Sequence, residues 1–128
     1  MHRFFLIAGS ISGAISVLLG AFGAHSLKSI VSPAALVTFE TGVRYQFYHT
    51  FALVLTAILY ERFQTRWLLW SGNSFIIGII LFSGSLYLLT ALNASGNVGL
   101  RGVGIITPFG GLFFVAGWLM LMWCILKA

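Results

Sequence analysis

From Phe4 to Ala24 the chain carries no charged residue, and three later stretches are nearly as apolar. A helix rises about 1.5 Å per residue, so roughly 20 apolar residues cross a hydrocarbon core about 30 Å thick. The runs Trp67 to Ala91 and Val103 to Leu126 meet that length, each with no Asp, Glu, Lys or Arg. The uncharged run Tyr45 to Tyr60 is shorter. It becomes adequate if its helix starts near Pro33, where proline suits a first turn and Ser32 can cap it. The expected spans are residues 4–24, 34–60, 67–91 and 103–126, within one membrane domain covering residues 1–128.

A water-soluble fold is excluded by composition. Only 7% of residues are charged, where a soluble domain carries about a quarter, and mean hydropathy is +1.02. In lipid, backbone groups must be paired within each helix. The short connections at residues 26–32, 61–66 and 93–101 make consecutive helices antiparallel neighbours. The fold class expected is therefore all-α: an integral membrane, compact antiparallel four-transmembrane-helix bundle. The start of the chain has the basic and apolar character of a signal peptide, but its apolar stretch is longer than a usual signal core and reads as the first span.

The net charge of +5 does not point to nucleic acid, because the basic residues stand singly at segment ends. They read as interfacial anchors. Arg3, Arg62, Arg66 and Lys127 share one side, while Lys28, Arg101 and Arg44 lie towards the other, a bias that places both termini in the cytoplasm. Tyr60, Trp67, Trp70 and Trp123 mark depth at the terminal side. The single cysteine, Cys124, has no internal disulfide partner and reads as a small apolar filler.

Small residues carry the packing signal. Gly9, Gly13, Ser16, Gly20 and Gly23 recur at helical spacing and line one face of the first span. Such a face lets two backbones approach in lipid, either a neighbouring span or a second copy, with the neighbouring span the main reading. Ser83, Gly84 and Ser85 in the third span, with Tyr87 beyond them, read as interhelical glue. Pro108, Gly110 and Gly111 predict a break in the fourth span, read first as a kink and second as a broken-helix binding site.

The polar candidates are His25, Glu40, Arg44, Gln46, His49 and Arg101. Antiparallel topology brings them towards one end of the bundle, and ionisable groups at depth face protein or water. They read as a structural network, or as a site for a small ligand, ion or proton, with the arginines able to hold lipid phosphate. Haem or a metal on His25 and His49 is a third reading, but the spacing has no metal-site specificity. No metal and no cofactor is expected, and no nucleophile–base pair is visible.

The motifs "GAFGAHSL" at 20–27, "YQFYHTFAL" at 45–53, "FSGSLYLL" at 82–89 and "ITPFGG" at 106–111 occur in one order along nearly the whole chain. They resemble the YgdD/YwdK-type family of small four-span membrane proteins, a domain of unknown function with a vertebrate transmembrane relative. The resemblance implies a multi-pass protein of the inner (plasma) membrane and assigns no chemistry. The expected role is a non-enzymatic accessory or scaffold component, surrounded by membrane lipids and joined in a homo-oligomer or larger membrane complex. The alternative is binding or transport of a small ligand, ion or lipid through the polar cluster.

Overall fold

The computed structural model describes residues 1–96 and 102–128, which form helices α1 (Arg3–Ala24), α2 (Pro33–Leu59), α3 (Arg66–Gly78), α4 (Gly84–Ala94) and α5 (Val103–Leu126). Three of them begin where a side chain can accept from an otherwise unpartnered first-turn N–H. His2 Nδ1 accepts from Phe5 N at 3.3 Å, Ser32 Oγ from Ala35 N at 3.2 Å, and Thr65 Oγ1 from Leu68 N at 3.4 Å. Pro33 opens α2, where its missing N–H costs no ladder bond.

Helices α3 and α4 form one rod, joined through a π-helical segment at Ile79–Ser83. There the N–H of Gly84 reaches back to the carbonyl of Ile79. By contrast, α5 runs unbroken through Pro108, so the break expected at Pro108, Gly110 and Gly111 does not occur. Pro108 lies in the second turn, where its missing N–H deprives one carbonyl, that of Gly104, close to the helix start. The irregularity sits on the facing rod instead. Gly110 lies against the backbone of Phe82 inside the π segment, so a side chain at 110 would collide with main chain.

Helix α2 lies antiparallel to α1, with His2 N donating to Ala57 O at 2.9 Å at one end and Gly23 facing Phe39 at the other. It also contacts α3, the π segment and α4, and α5 closes against the α3–α4 rod. The core consists of aromatic rings seated on glycines: Phe5 over Gly72, Phe114 over Gly78 and Phe75 over Gly117. Phe5 and Phe75 are 1% and 0% exposed, so these rings are fully enclosed.

Polarity is inverted relative to a soluble domain. Ser71, Ser83, Thr56, Gln46 and His49 are buried, while Ile105, Phe109, Leu112, Leu119 and Met122 on α5 face outwards. The buried positions of α5 are Gly110, Phe114, Gly117, Leu121 and Cys124, a single seam at alternating steps of four and three. The helices Arg3–Ser29, Arg66–Ala94 and Val103–Leu126 are long and apolar enough to cross a membrane. Helix α2 has the length, but its polar residues keep it below the apolarity of the other three.

The terminal end gathers tryptophan and lysine side chains. Trp67 packs edge-on against Trp70 and Trp123, with ring centroids 5.3 and 6.2 Å away, and Lys127 Nζ lies 5.2 Å from the Trp123 ring. The N-terminal amine pairs with Glu61 at 3.6 Å, with both groups exposed.

Candidate functional site

The polar interior is built around two residues of α2, one helical turn apart. Gln46 is buried and reaches two helices at once. Its Nε2 donates to Ser12 O at 3.1 Å and lies 3.4 Å from Ser12 Oγ, and its Oε1 accepts from Tyr87 Oη at 2.6 Å. Thr50 Oγ1 donates to the same Ser12 Oγ at 2.7 Å. One amide therefore ties α1, α2 and α4 together.

His49 faces the other way, towards α3 and α5. Its ring stacks on Phe114 with centroids 3.5 Å apart and planes 8° from parallel, and Phe75 lies 5.8 Å away. Trp118 Nε1 donates to His49 Nε2 at 3.2 Å, and His49 Nδ1 lies 2.7 Å from Tyr45 O. An indole N–H can only donate and a carbonyl can only accept. Nε2 must therefore present its lone pair, and Nδ1 must carry the hydrogen. The neutral Nδ1–H tautomer satisfies both contacts, and a proton on Nε2 would remove the Trp118 bond. Both ring nitrogens are therefore hydrogen-bonded within the bundle.

Three further buried hydroxyls follow the same pattern. Ser83 Oγ donates to Gly42 O at 2.7 Å, Ser71 Oγ to Gly117 O at 2.8 Å, and Ser85 Oγ lies 2.6 Å from Thr107 Oγ1. Among the described residues, every buried side-chain nitrogen and oxygen has a partner.

The five described polar candidates do not form one cluster. His25 is exposed at the end of α1, and Glu40 and Arg44 are exposed on one flank of α2. Gln46 and His49 are buried and bond to none of these three. Arg101 lies outside the described residues. Among the described residues no group of three His, Cys, Asp or Glu side chains gathers with metal-site geometry.

The small-residue face of α1 lies against α2: a Cβ at Gly9 would meet Val54 at 2.7 Å, one at Gly13 Thr50 at 3.4 Å, and one at Gly20 Val43 at 3.7 Å. Ser16 is buried and returns its hydroxyl to Ser12 O at 2.8 Å. Gly84 departs from the packing reading, because a Cβ there would meet nothing within 4 Å. It directly follows the π segment and opens α4.

Four participants were not among the sequence candidates: Ser12, Thr50, Phe114 and Trp118. Ser12 and Trp118 are far in sequence from the α2 residues they bond, and each looks like an ordinary span residue. The available signal was the seam spacing on α5, which places Phe114 on the inward face.

A groove of about 320 Å³ runs between α1 and α2 on the outside of the molecule, walled by Val17, Gly20, Val43 and Phe47, with Glu40 and Arg44 on its lining.

The inward polar network and outward apolar surface define a small, all-helical integral membrane protein. The family described as "Protein of unknown function (DUF423)" matches residues 19–111. The inner membrane protein YgdD of Escherichia coli (strain K12) is 40% identical over 120 residues, covering 94% of this chain and 87% of its own length. The membrane protein SH2409 of Staphylococcus haemolyticus (strain JCSC1435) is 38% identical, with 94% and 93% covered. The membrane protein YwdK of Bacillus subtilis (strain 168) is 35% identical over 127 residues, with 94% of each chain covered. No solved structure matches. The chain belongs to the DUF423 family of membrane proteins, as the ordered motifs implied.

Proposed function

We propose that the chain is a non-enzymatic accessory or scaffold component of the inner membrane, folded as a compact antiparallel four-span bundle with both termini in the cytoplasm. The observation that carries this reading is the closed polar interior. Gln46, His49 and the hydroxyls of Ser71, Ser83 and Ser85 are engaged with neighbouring side chains or with backbone, so recognition falls to the outward surface. A catalytic centre needs a free donor, acceptor or nucleophile facing a space for substrate. Both nitrogens of the interior ring His49 are hydrogen-bonded, and the groove lining gives Glu40 and Arg44 no histidine, cysteine or free hydroxyl to act with.

Helix α2 serves as the fourth span in this arrangement. It runs beside α1 along the length of that helix, and its deepest polar groups, Gln46 and His49, are shielded by protein. That is the usual solution for polar groups at depth. Arg3, Arg62, Arg66 and Lys127 favour a cytoplasmic terminal end. The name of the Escherichia coli relative supports the inner membrane as the location.

Crosslinking in intact membranes followed by native electrophoresis tests the role. An oligomer or a reproducible partner is expected, and a strictly monomeric particle with no crosslinked partner would overturn it. Thiol labelling of single cysteines at positions 2 and 128, on a Cys124→Ala background, is expected to require permeabilised cells; labelling of intact cells would reverse the orientation.

A further inference from the structure

The groove between α1 and α2 has an order of charges that the bundle itself does not explain. The α1–α2 pairing sets its depth. The middle of α1 is near Gly13, which faces Thr50, and Ser12 bonds Gln46 and Thr50. The mid-level of the bundle therefore crosses α2 between Gln46 and Thr50. Arg44 lies within about one 5.4 Å turn of that level, and Glu40 one turn closer to the end opposite the termini. Both are exposed, and they form no ion pair with each other. A charged pair exposed at this depth is costly unless something polar meets it.

Side chains on a helix lean towards its N-terminus. For α2 that is the end opposite the termini, so Arg44 and Glu40 both reach towards the near bilayer surface. Below them the groove wall is apolar, formed by Val17 and Phe47. Ser16, the wall's one hydroxyl, already bonds Ser12 O. Along α2 the groove therefore presents Phe47, Arg44 and Glu40 from mid-depth outwards, an apolar group, a cation and an anion, with Gly23, Phe39 and Val43 completing the lining beside the charges.

We propose that this groove binds a zwitterionic phospholipid whose phosphate carries a primary ammonium. From the bilayer centre outwards such a lipid presents acyl chain, phosphate and ammonium, the complement of Phe47, Arg44 and Glu40. The guanidinium holds the phosphate through a fork of N–H donors, and the carboxylate accepts from the ammonium. The acyl chain lies along Val17 and Phe47. A lipid with an uncharged headgroup alcohol lacks the group that Glu40 recognises and leaves that carboxylate beside a phosphate. A second copy of the chain fits less well. Two parallel copies related by a twofold axis would set like charges at equal heights, and their long side chains would have to cross to pair.

The inference rests on α2 crossing the bilayer, and the experiment separates the two. The protein is placed in nanodiscs of equal phosphatidylethanolamine and phosphatidylglycerol, extracted in mild detergent, and its retained lipid is counted by native mass spectrometry. The wild-type protein is expected to retain phosphatidylethanolamine about three- to tenfold over phosphatidylglycerol, the scale of one charge-assisted contact. Glu40→Gln should bring that ratio near one. Arg44→Gln should lower retention of both lipids, as should Val17→Trp, which fills the groove from an exposed position. An equal ratio for the wild type, or Glu40→Gln and Arg44→Gln variants indistinguishable from it, would overturn the proposal. So would a Gly20→Cys variant that forms an interchain disulfide in unsolubilised membranes, since a second copy would then occupy the groove. A spin label at position 43, on a Cys124→Ala background, reads depth independently. Water-level accessibility there would remove the four-span reading, whereas bilayer-level accessibility with no lipid preference removes only this inference.

Discussion

Gly110→Ala is a stringent test of how α5 packs. The added Cβ would lie 2.7 Å from both Cα and Cβ of Phe82 and closer still to the Phe82 nitrogen. Carbon atoms rest at about 3.5–4.0 Å, so α5 and the rod must separate by about 1 Å, because main chain cannot rotate aside. That movement would stretch the Ser85–Thr107 contact from 2.6 Å to a length where little hydrogen bonding survives. Overpacking costs about 1–3 kcal/mol, and a hydrogen bond within a membrane bundle averages about 0.6 kcal/mol. The expected loss is about 2–3 kcal/mol. Gly84→Ala is the matched control, since its Cβ meets nothing within 4 Å. It should be neutral, or stabilising by up to about 1 kcal/mol from helix propensity. Reversible unfolding in mixed micelles, followed by circular dichroism, measures both variants. Gly110→Ala as stable as the wild type, or Gly84→Ala as damaging as Gly110→Ala, would refute the packing argument.

Gln46→Leu should cost about 1–3 kcal/mol, because the Tyr87 hydroxyl loses its 2.6 Å acceptor; adding Tyr87→Phe should recover part of the loss in the same unfolding assay. Nitrogen-15 NMR of labelled histidine should show His49 at neutral pH as a single neutral tautomer with hydrogen on Nδ1, and Trp118→Phe should shift the Nε2 resonance by removing its donor while the Tyr45 carbonyl keeps the hydrogen on Nδ1. Equal populations of both tautomers in the wild type would contradict the hydrogen-bond assignment. Cys124 is buried and lies 3.2 Å from Thr65 Oγ1, so alkylation by a maleimide should be slow in the folded protein and fast once it is denatured. Rapid labelling of the folded protein would show that the α3–α5 contact opens.

The helices were legible because each apolar run ends at a polar or turn-forming residue. Ser32 and Pro33 mark the start of α2 in sequence, and Ser32 caps it in the structure. The all-helical class follows from the length of the uncharged runs in a chain with few charges. The π segment was not legible, because Ile79 to Ser83 reads as five ordinary span residues. Across the interface Gly110 lies against the Phe82 backbone, a contact that nothing in residues 79–83 announces. Reading Pro108 as the disruptive residue weighed the missing N–H without its position, since near a helix start that loss frees few partners.

The polar residues of α2 were grouped by the end of the bundle they approach, when the face they occupy decides their environment. Gly42, Gln46, His49, Leu53 and Thr56 follow steps of four and three and form the buried stripe. Glu40, Arg44, Phe47 and Phe51 follow the same steps on another, exposed face. Phasing the helix on Gln46 and His49 would have separated the two sets, because residues five apart such as Arg44 and His49 differ by about 140° around a helix. The sequence alone did not set the phase, since α2 carries large apolar residues on both faces: Leu53 inside, Phe47 and Phe51 outside. In water an exposed phenylalanine stripe would be a warning, but in lipid it is an ordinary surface. What distinguishes inside from outside here is polarity that can find a partner. Gln46 and His49 find Tyr87, Ser12 and Trp118, whereas Glu40 and Arg44 remain on the outward flank, where the bundle supplies them no ion pair with each other.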